Sequence, residues 1–89
     1  MKNSTVFAKA AKIVMERGLN KGGYGKEGGP RCIIGAVYES SSWVQGPRAV
    51  MGLYADVYEG DWNDDPDTTA DEVVQLLQFM ALSEKDAGR

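Results

Sequence analysis

The chain has no histidine, one cysteine (Cys32) and three prolines in 89 residues. Each shortage excludes something. Without histidine there is no side chain that titrates unperturbed near neutral pH, and the commonest transition-metal ligand is missing. Cys32 has no histidine partner, so a Cys-His nucleophile is ruled out. One Cys and no His nearly exclude a structural zinc site. A single Cys forms no intrachain disulfide, and nothing points to secretion. No apolar run approaches a signal-peptide core or a membrane span. These shortages place the chain in the cytoplasm, away from membranes and without a cofactor.

Apolar residues make up 43% of the sequence, enough for one globular core and too many for intrinsic disorder. The expectation is one domain over residues 1–89. Charge is distributed unevenly. The net charge is -3, yet residues 1–48 are +5, residues 49–84 carry nine acids and no base, and the last five residues are +1. Asymmetry of this kind is a partner signal.

The spacing of apolar residues predicts an all-α bundle of about four helices, near 5–17, 31–42, 47–59 and 70–85. Ser4 or Thr5 caps the first, which carries Val6, Phe7, Ala10, Ile13 and Val14 on one face and ends before Gly18. Residues 18–29 hold six glycines and no apolar period, so they read as a loop. A phosphate cradle there would need a preceding strand and a following Gly-Lys-Ser/Thr. Both are missing, and a flexible connector is the better reading. Pro30 opens the second helix, with a short buried strand over 31–42 as the alternative. Val50, Leu53, Tyr54 and Val57 define the third, after Gly46-Pro47. Gly35 and Gly52 sit inside helices, where close contact between those two helices would justify them.

Residues 60–69 read as an acidic turn, and Thr69 with Glu72 forms a capping box for the last helix. Val73, Val74, Leu76, Leu77, Met80 and Ala81 form its core face. Phe79 and Leu82 widen that face enough to offer apolar surface to a second copy.

The acidic turn invites comparison with a calcium loop. Asp61, Asn63, Asp65, Thr69 and Glu72 stand at positions 1, 3, 5, 9 and 12. Position 6 requires a left-handed glycine and is Pro66, whose φ is fixed near -65°. Capping is therefore the better use of these oxygens. Trp62, Asn63 and Asp64 read as structural. Trp62 is expected against the start of the last helix, and Asn63 or Asp64 is expected to accept N–H bonds from residues 66–69. Cys32 near a helix start beside Arg31 has the setting of a reactive thiol, but a lone Cys in an apolar run is more commonly core. The acidic half argues against general nucleic-acid binding.

Taken in order, the motifs are Arg17-Gly18, a Gly-containing loop, Cys32-x-x-Gly35-Ala36, Trp62-Asn63-Asp64 and Thr69-x-x-Glu72-Val73. Over residues 5–82 they resemble an uncharacterised small helical domain found in actinobacteria and their bacteriophages. Family members tend to be longer between the first two helices. The resemblance implies a helical domain of phage or actinobacterial source and brings no activity, cofactor or catalytic residue.

The functional expectation is a small, non-enzymatic accessory or regulatory protein. It would bind a basic protein partner through Asp56, Glu59, Asp61, Asp64 and Asp65. The alternatives are acidic mimicry of nucleic acid, a small metal-dependent enzyme or cation-binding module using Asp61, Asp64 and Asp65 of the acidic turn, and self-association of a structural protein through the last helix.

Overall fold

The structure, a computed structural model, describes residues 2–26, 28–41 and 60–89. Four helices lie among them: α1 (Asn3–Arg17), α2 (Ile33–Ser40), α3 (Gly60–Asp64) and α4 (Ala70–Asp86). The described residues contain no strand, only two single-residue bridges. The all-α reading therefore stands, and 31–42 is helical over Ile33–Ser40. The helix expected over 47–59, and Gly52 with it, lies outside the described residues.

The helices form because apolar residues recur on one side of each. Val6, Phe7, Ala10, Ala11 and Val14 of α1 are buried, as are Ile33, Ala36 and Val37 of α2 and Val73, Val74, Leu77 and Met80 of α4. They make one core cluster. Fully burying a side chain such as Phe7 or Leu77 contributes about 1.5–3 kcal/mol. α1 and α4 run antiparallel, because Asn3 at the start of α1 meets Glu84 near the end of α4. Phe79 and Leu82 are 59% and 63% exposed. The core takes only a narrower stripe of α4.

The start of α1 differs from the expected cap. The helix begins at Asn3, and its N-cap residue Lys2 makes no side-chain cap bond. Ser4 uses its backbone N–H instead, donating to the Arg89 carbonyl at 3.2 Å. The far end of the chain thus satisfies a donor that a helix start leaves open. Glu84 fixes this junction. It is 1% exposed and accepts from Asn3 Nδ2 (3.2 Å), Arg89 Nε (3.0 Å) and Arg89 Nη2 (2.8 Å).

The described residues of the Gly-rich segment bond to the residues just before α2. Leu19 and Gly25 each bridge to Arg31, and the Asn20 N–H donates to the Arg31 carbonyl at 2.9 Å. Gly25 has a φ of +81°, and a Cβ there would lie 2.0 Å from the Pro30 carbonyl oxygen. Glycine is needed for the backbone to close on itself at this point.

Gly35 has a similar role with respect to the loop, while the helix holding Gly52, its expected neighbour, lies outside the described residues. A Cβ at Gly35 would lie 2.5 Å from the Tyr24 carbonyl oxygen. The close approach is to the loop. Gly35→Ala is thus expected to destabilise the protein by about 1–3 kcal/mol through overpacking. Helix propensity alone predicts a gain of about 1 kcal/mol. The sign of the shift in the urea midpoint separates the two.

Candidate functional site

The sequence motifs converge where the Gly-rich loop, the start of α2 and α3 meet. Trp62-Asn63-Asp64, a turn by composition, is part of the short helix α3, and the turn proper follows at residues 65–69. The difference matters because a helical turn throws Asn63 inward. Asn63 is 2% exposed. Its Oδ1 accepts the Ile33 N–H at 3.0 Å, and its Nδ2 donates to the Asn20 carbonyl at 3.0 Å and to Asp64 Oδ1 at 3.0 Å. Ile33 is the first residue of α2 and Asn20 belongs to the loop. One side chain therefore ties three segments together.

The expected N–H donors at 66–69 are not the partners of Asn63 or Asp64. Asp64 Oδ1 accepts the Gly22 N–H at 2.9 Å. Local capping falls to the next residue, Asp65, whose Oδ1 accepts the Asp67 N–H at 2.8 Å. Lys21 reaches across from the loop and donates through Nζ to the carbonyls of Asp65 and Thr68, the latter at 2.8 Å. Trp62 is half-buried against the core cluster. Thr69 and Glu72 make reciprocal cap bonds of 3.2 Å at the start of α4.

Cys32 is the N-cap residue of α2 and lies just outside the helix expected to contain it. Its Sγ accepts the Gly35 N–H at 3.2 Å. Burial pushes the thiol above its ordinary value, and the nearby Asp64 carboxylate adds to the rise against the pull of the Gly35 and Ile34 N–H groups. A thiol held protonated is a poor nucleophile. It faces a cavity of about 100 Å³ lined also by Tyr24, Ile34, Asn63 and Asp64. That volume holds a few waters and is small for an organic substrate. The geometry supports a structural use for Cys32.

Beside this junction lies an ion cluster that sequence reasoning passed over. Arg31 is 2% exposed. Its Nε donates to Glu39 Oε1 at 2.9 Å and its Nη1 to the Gly25 carbonyl at 3.0 Å. Arg17 Nη1 donates to Glu39 Oε2 at 2.7 Å, and the Gly28 N–H also reaches Glu39. Burial of Glu39 raises its pKa, but bonds from Arg17, Arg31 and Gly28 more than reverse this and hold it below the usual value. A signal existed in the sequence. Glu39 is a lone acid in the apolar stretch after Arg31, and such a residue needs a cation in reach.

Bonds from Arg89 and Asn3 lower Glu84 in the same way against the cost of burial. The Gly22 N–H, with help from Asn63 and Lys21, lowers Asp64. Carboxyls with lowered folded pKa values contribute stability that is fully present above the unfolded value and lost as pH falls through the folded one. Stability is therefore expected to hold between pH 8 and 5, about the range in which only histidine normally titrates. It should then fall steadily below the ordinary glutamate value of 4.5. Thermal melts across this range check the profile.

The calcium-loop oxygens point at different partners. Asn63 Oδ1 faces Ile33, Asp65 Oδ1 faces Asp67 and Glu72 Oε1 faces Thr69. Among the described residues no three His, Cys, Asp or Glu side chains are grouped to hold a metal. Of the acids assigned to partner binding, Asp64 and Asp65 are exposed. Asp56 and Glu59 lie outside the described residues, and the side chain of Asp61 is not described. No helix among the described residues is long and apolar enough to cross a membrane.

No curated protein and no solved structure matches the chain. The model of one family covers residues 1–82, a span that takes in the loop, Cys32, Gly35, Asn63, Asp64 and the capping box. The chain belongs to DUF6197, a family of unknown function.

Proposed function

We propose that this protein is a small non-enzymatic accessory or regulatory protein, encoded by a phage or its actinobacterial host. On this reading it acts in the cytoplasm by binding another protein with a basic surface. The observation that carries this is the display of acids at one end of the fold on a hydrogen-bonded backbone. Asp64, Asp65, Asp67, Asp71 and Glu72 are all exposed. The backbone beneath them is fastened by Lys21 and Gly22 of the loop and by the capping box. Lys21 offsets one of the five charges. The start of α4 favours acids within its first turn, and Asp64 and Asp65 precede it.

A fixed set of like charges raises the association rate with an oppositely charged surface and loses little entropy on docking. The test is capture of a partner from host lysate, followed by association rates for the wild type and an Asp65→Asn/Asp67→Asn/Asp71→Asn variant. The wild-type rate should fall steeply from about 0.01 M to 0.15 M salt, as the screening length shrinks from ~30 Å to ~8 Å. The variant should show a shallower slope while staying folded, with a loss of no more than about 1 kcal/mol from the helix start. A salt-independent wild-type rate, or an equal slope in the variant, refutes the reading.

A further inference from the structure

The seam between α1 and α4 carries a second surface of opposite character. Two adjoining hollows, each about 450 Å³, share Ala8, Ala81 and Leu82. Alanines form the floor. Met15 and Leu82, 61% and 63% exposed, stand at its sides. Among the described residues the charged side chains on this groove are Lys2, Lys12 and Lys85. Among the described residues no acid lines it, although the chain as a whole is acidic. Lys12 has one exposed neighbour of opposite sign, Glu16, at a loose 3.8 Å. The groove follows α1 from Lys2 to Met15, and thirteen residue steps at 1.5 Å each give about 20 Å.

The geometry points to a docking groove for an amphipathic helix with acidic flanks, supplied by another protein. A floor of small residues between two helices lets a third approach closely, and apolar anchors at i, i+3 or i+4, i+7 and i+11, spanning about 16 Å at 1.5 Å per residue, fit a groove of this length. The three lysines choose among such helices. They pair with carboxylates at the edges of an acidic one and repel a basic one, which sets orientation and on-rate. This surface is distinct from the acidic end and does not depend on it.

The experiment is selection of about 14-residue helical peptides, displayed as a library, against the intact protein. Selected sequences should carry Leu, Met or Phe at helical spacing with Asp or Glu beside them. Leu82→Asp, at an exposed position, should weaken a selected peptide by about tenfold or more without changing the melting temperature. Lys12→Glu/Lys85→Glu should reverse the preference, favouring the same peptide with its acids changed to lysine. The proposal is overturned if the selected peptides show no charge preference or if both variants bind them like the wild type. Doubling of the solution mass that Leu82→Asp abolishes would also overturn it, by assigning the groove to a second copy. So would binding to phosphatidylserine vesicles in place of peptides.

Discussion

Glu39→Ala should cost about 2–4 kcal/mol of stability, because it removes a carboxylate that Arg17 and Arg31 share. Arg31 is 2% exposed and its Nε has Glu39 as its ion-pair partner at 2.9 Å. Removing the carboxylate also releases Arg17 and the Gly28 N–H. The loss is a large share of the roughly 5–13 kcal/mol expected for a chain of this length. Glu39→Gln keeps an acceptor oxygen for Arg31 Nε but not the charge, so it should fall between wild type and Glu39→Ala. Mutating the exposed pair Lys12–Glu16, by contrast, should change stability by less than about 0.5 kcal/mol. Urea denaturation of the four proteins gives the ordering directly. Equal stabilities for wild type and Glu39→Ala would mean that the cluster contributes nothing.

Asn63→Ala should be nearly as damaging, by another route. The substitution leaves the Ile33 N–H and the Asn20 carbonyl without their partner in a site that is 2% exposed. Each unsatisfied buried group costs about 1–3 kcal/mol, giving a total of about 2–4 kcal/mol where water enters partly. Asn63→Asp is the informative companion. It retains the acceptor for Ile33 but replaces the donor to Asn20 and Asp64 with a negative charge beside Asp64. Its stability should be lowest at neutral pH relative to wild type and should recover towards acid, opposite to the trend of the parent protein. A calorimetric pH series on the two variants distinguishes loss of bonds from gain of charge.

What was legible in the sequence was whatever depends on period and local chemistry. The apolar faces of α1 and α4 follow from spacing of 3.6, and the capping box follows from Thr69 standing three residues before Glu72. What was not legible depends on contacts between distant residues. Residues 18–29 have the composition of a tether, because glycine signals freedom when nothing is known of its neighbours. In the fold the same residues close on Arg31, Gly35 and Asp64 across sequence separations of up to 42 residues. The partners of Asn63 differ from those a cap within the turn predicts, since such a cap is the shortest route and Ile33 is 30 residues away. The start of α1 was misplaced for the same reason: its donor is met by Arg89 from the opposite end of the chain.

The proposed function rests on the fastening of the loop to the start of α2 and to α3, and native-state hydrogen exchange tests that fastening most directly. The informative amides are Asn20, bonded to the Arg31 carbonyl, Gly22, bonded to Asp64, and Ile33, bonded to Asn63. If the loop is part of the cooperative fold, Asn20 and Ile33 should open with nearly the free energy of Leu77 in the core, and the more exposed Gly22 within about 2 kcal/mol of it. In Asn63→Ala, under conditions where the domain stays folded, protection at Ile33 should collapse selectively. The contradictory result is exchange at all three amides close to the unfolded-chain rate while Leu77 stays protected. That pattern would make the Gly-rich segment a tether and remove the rigid platform on which the functional reading rests.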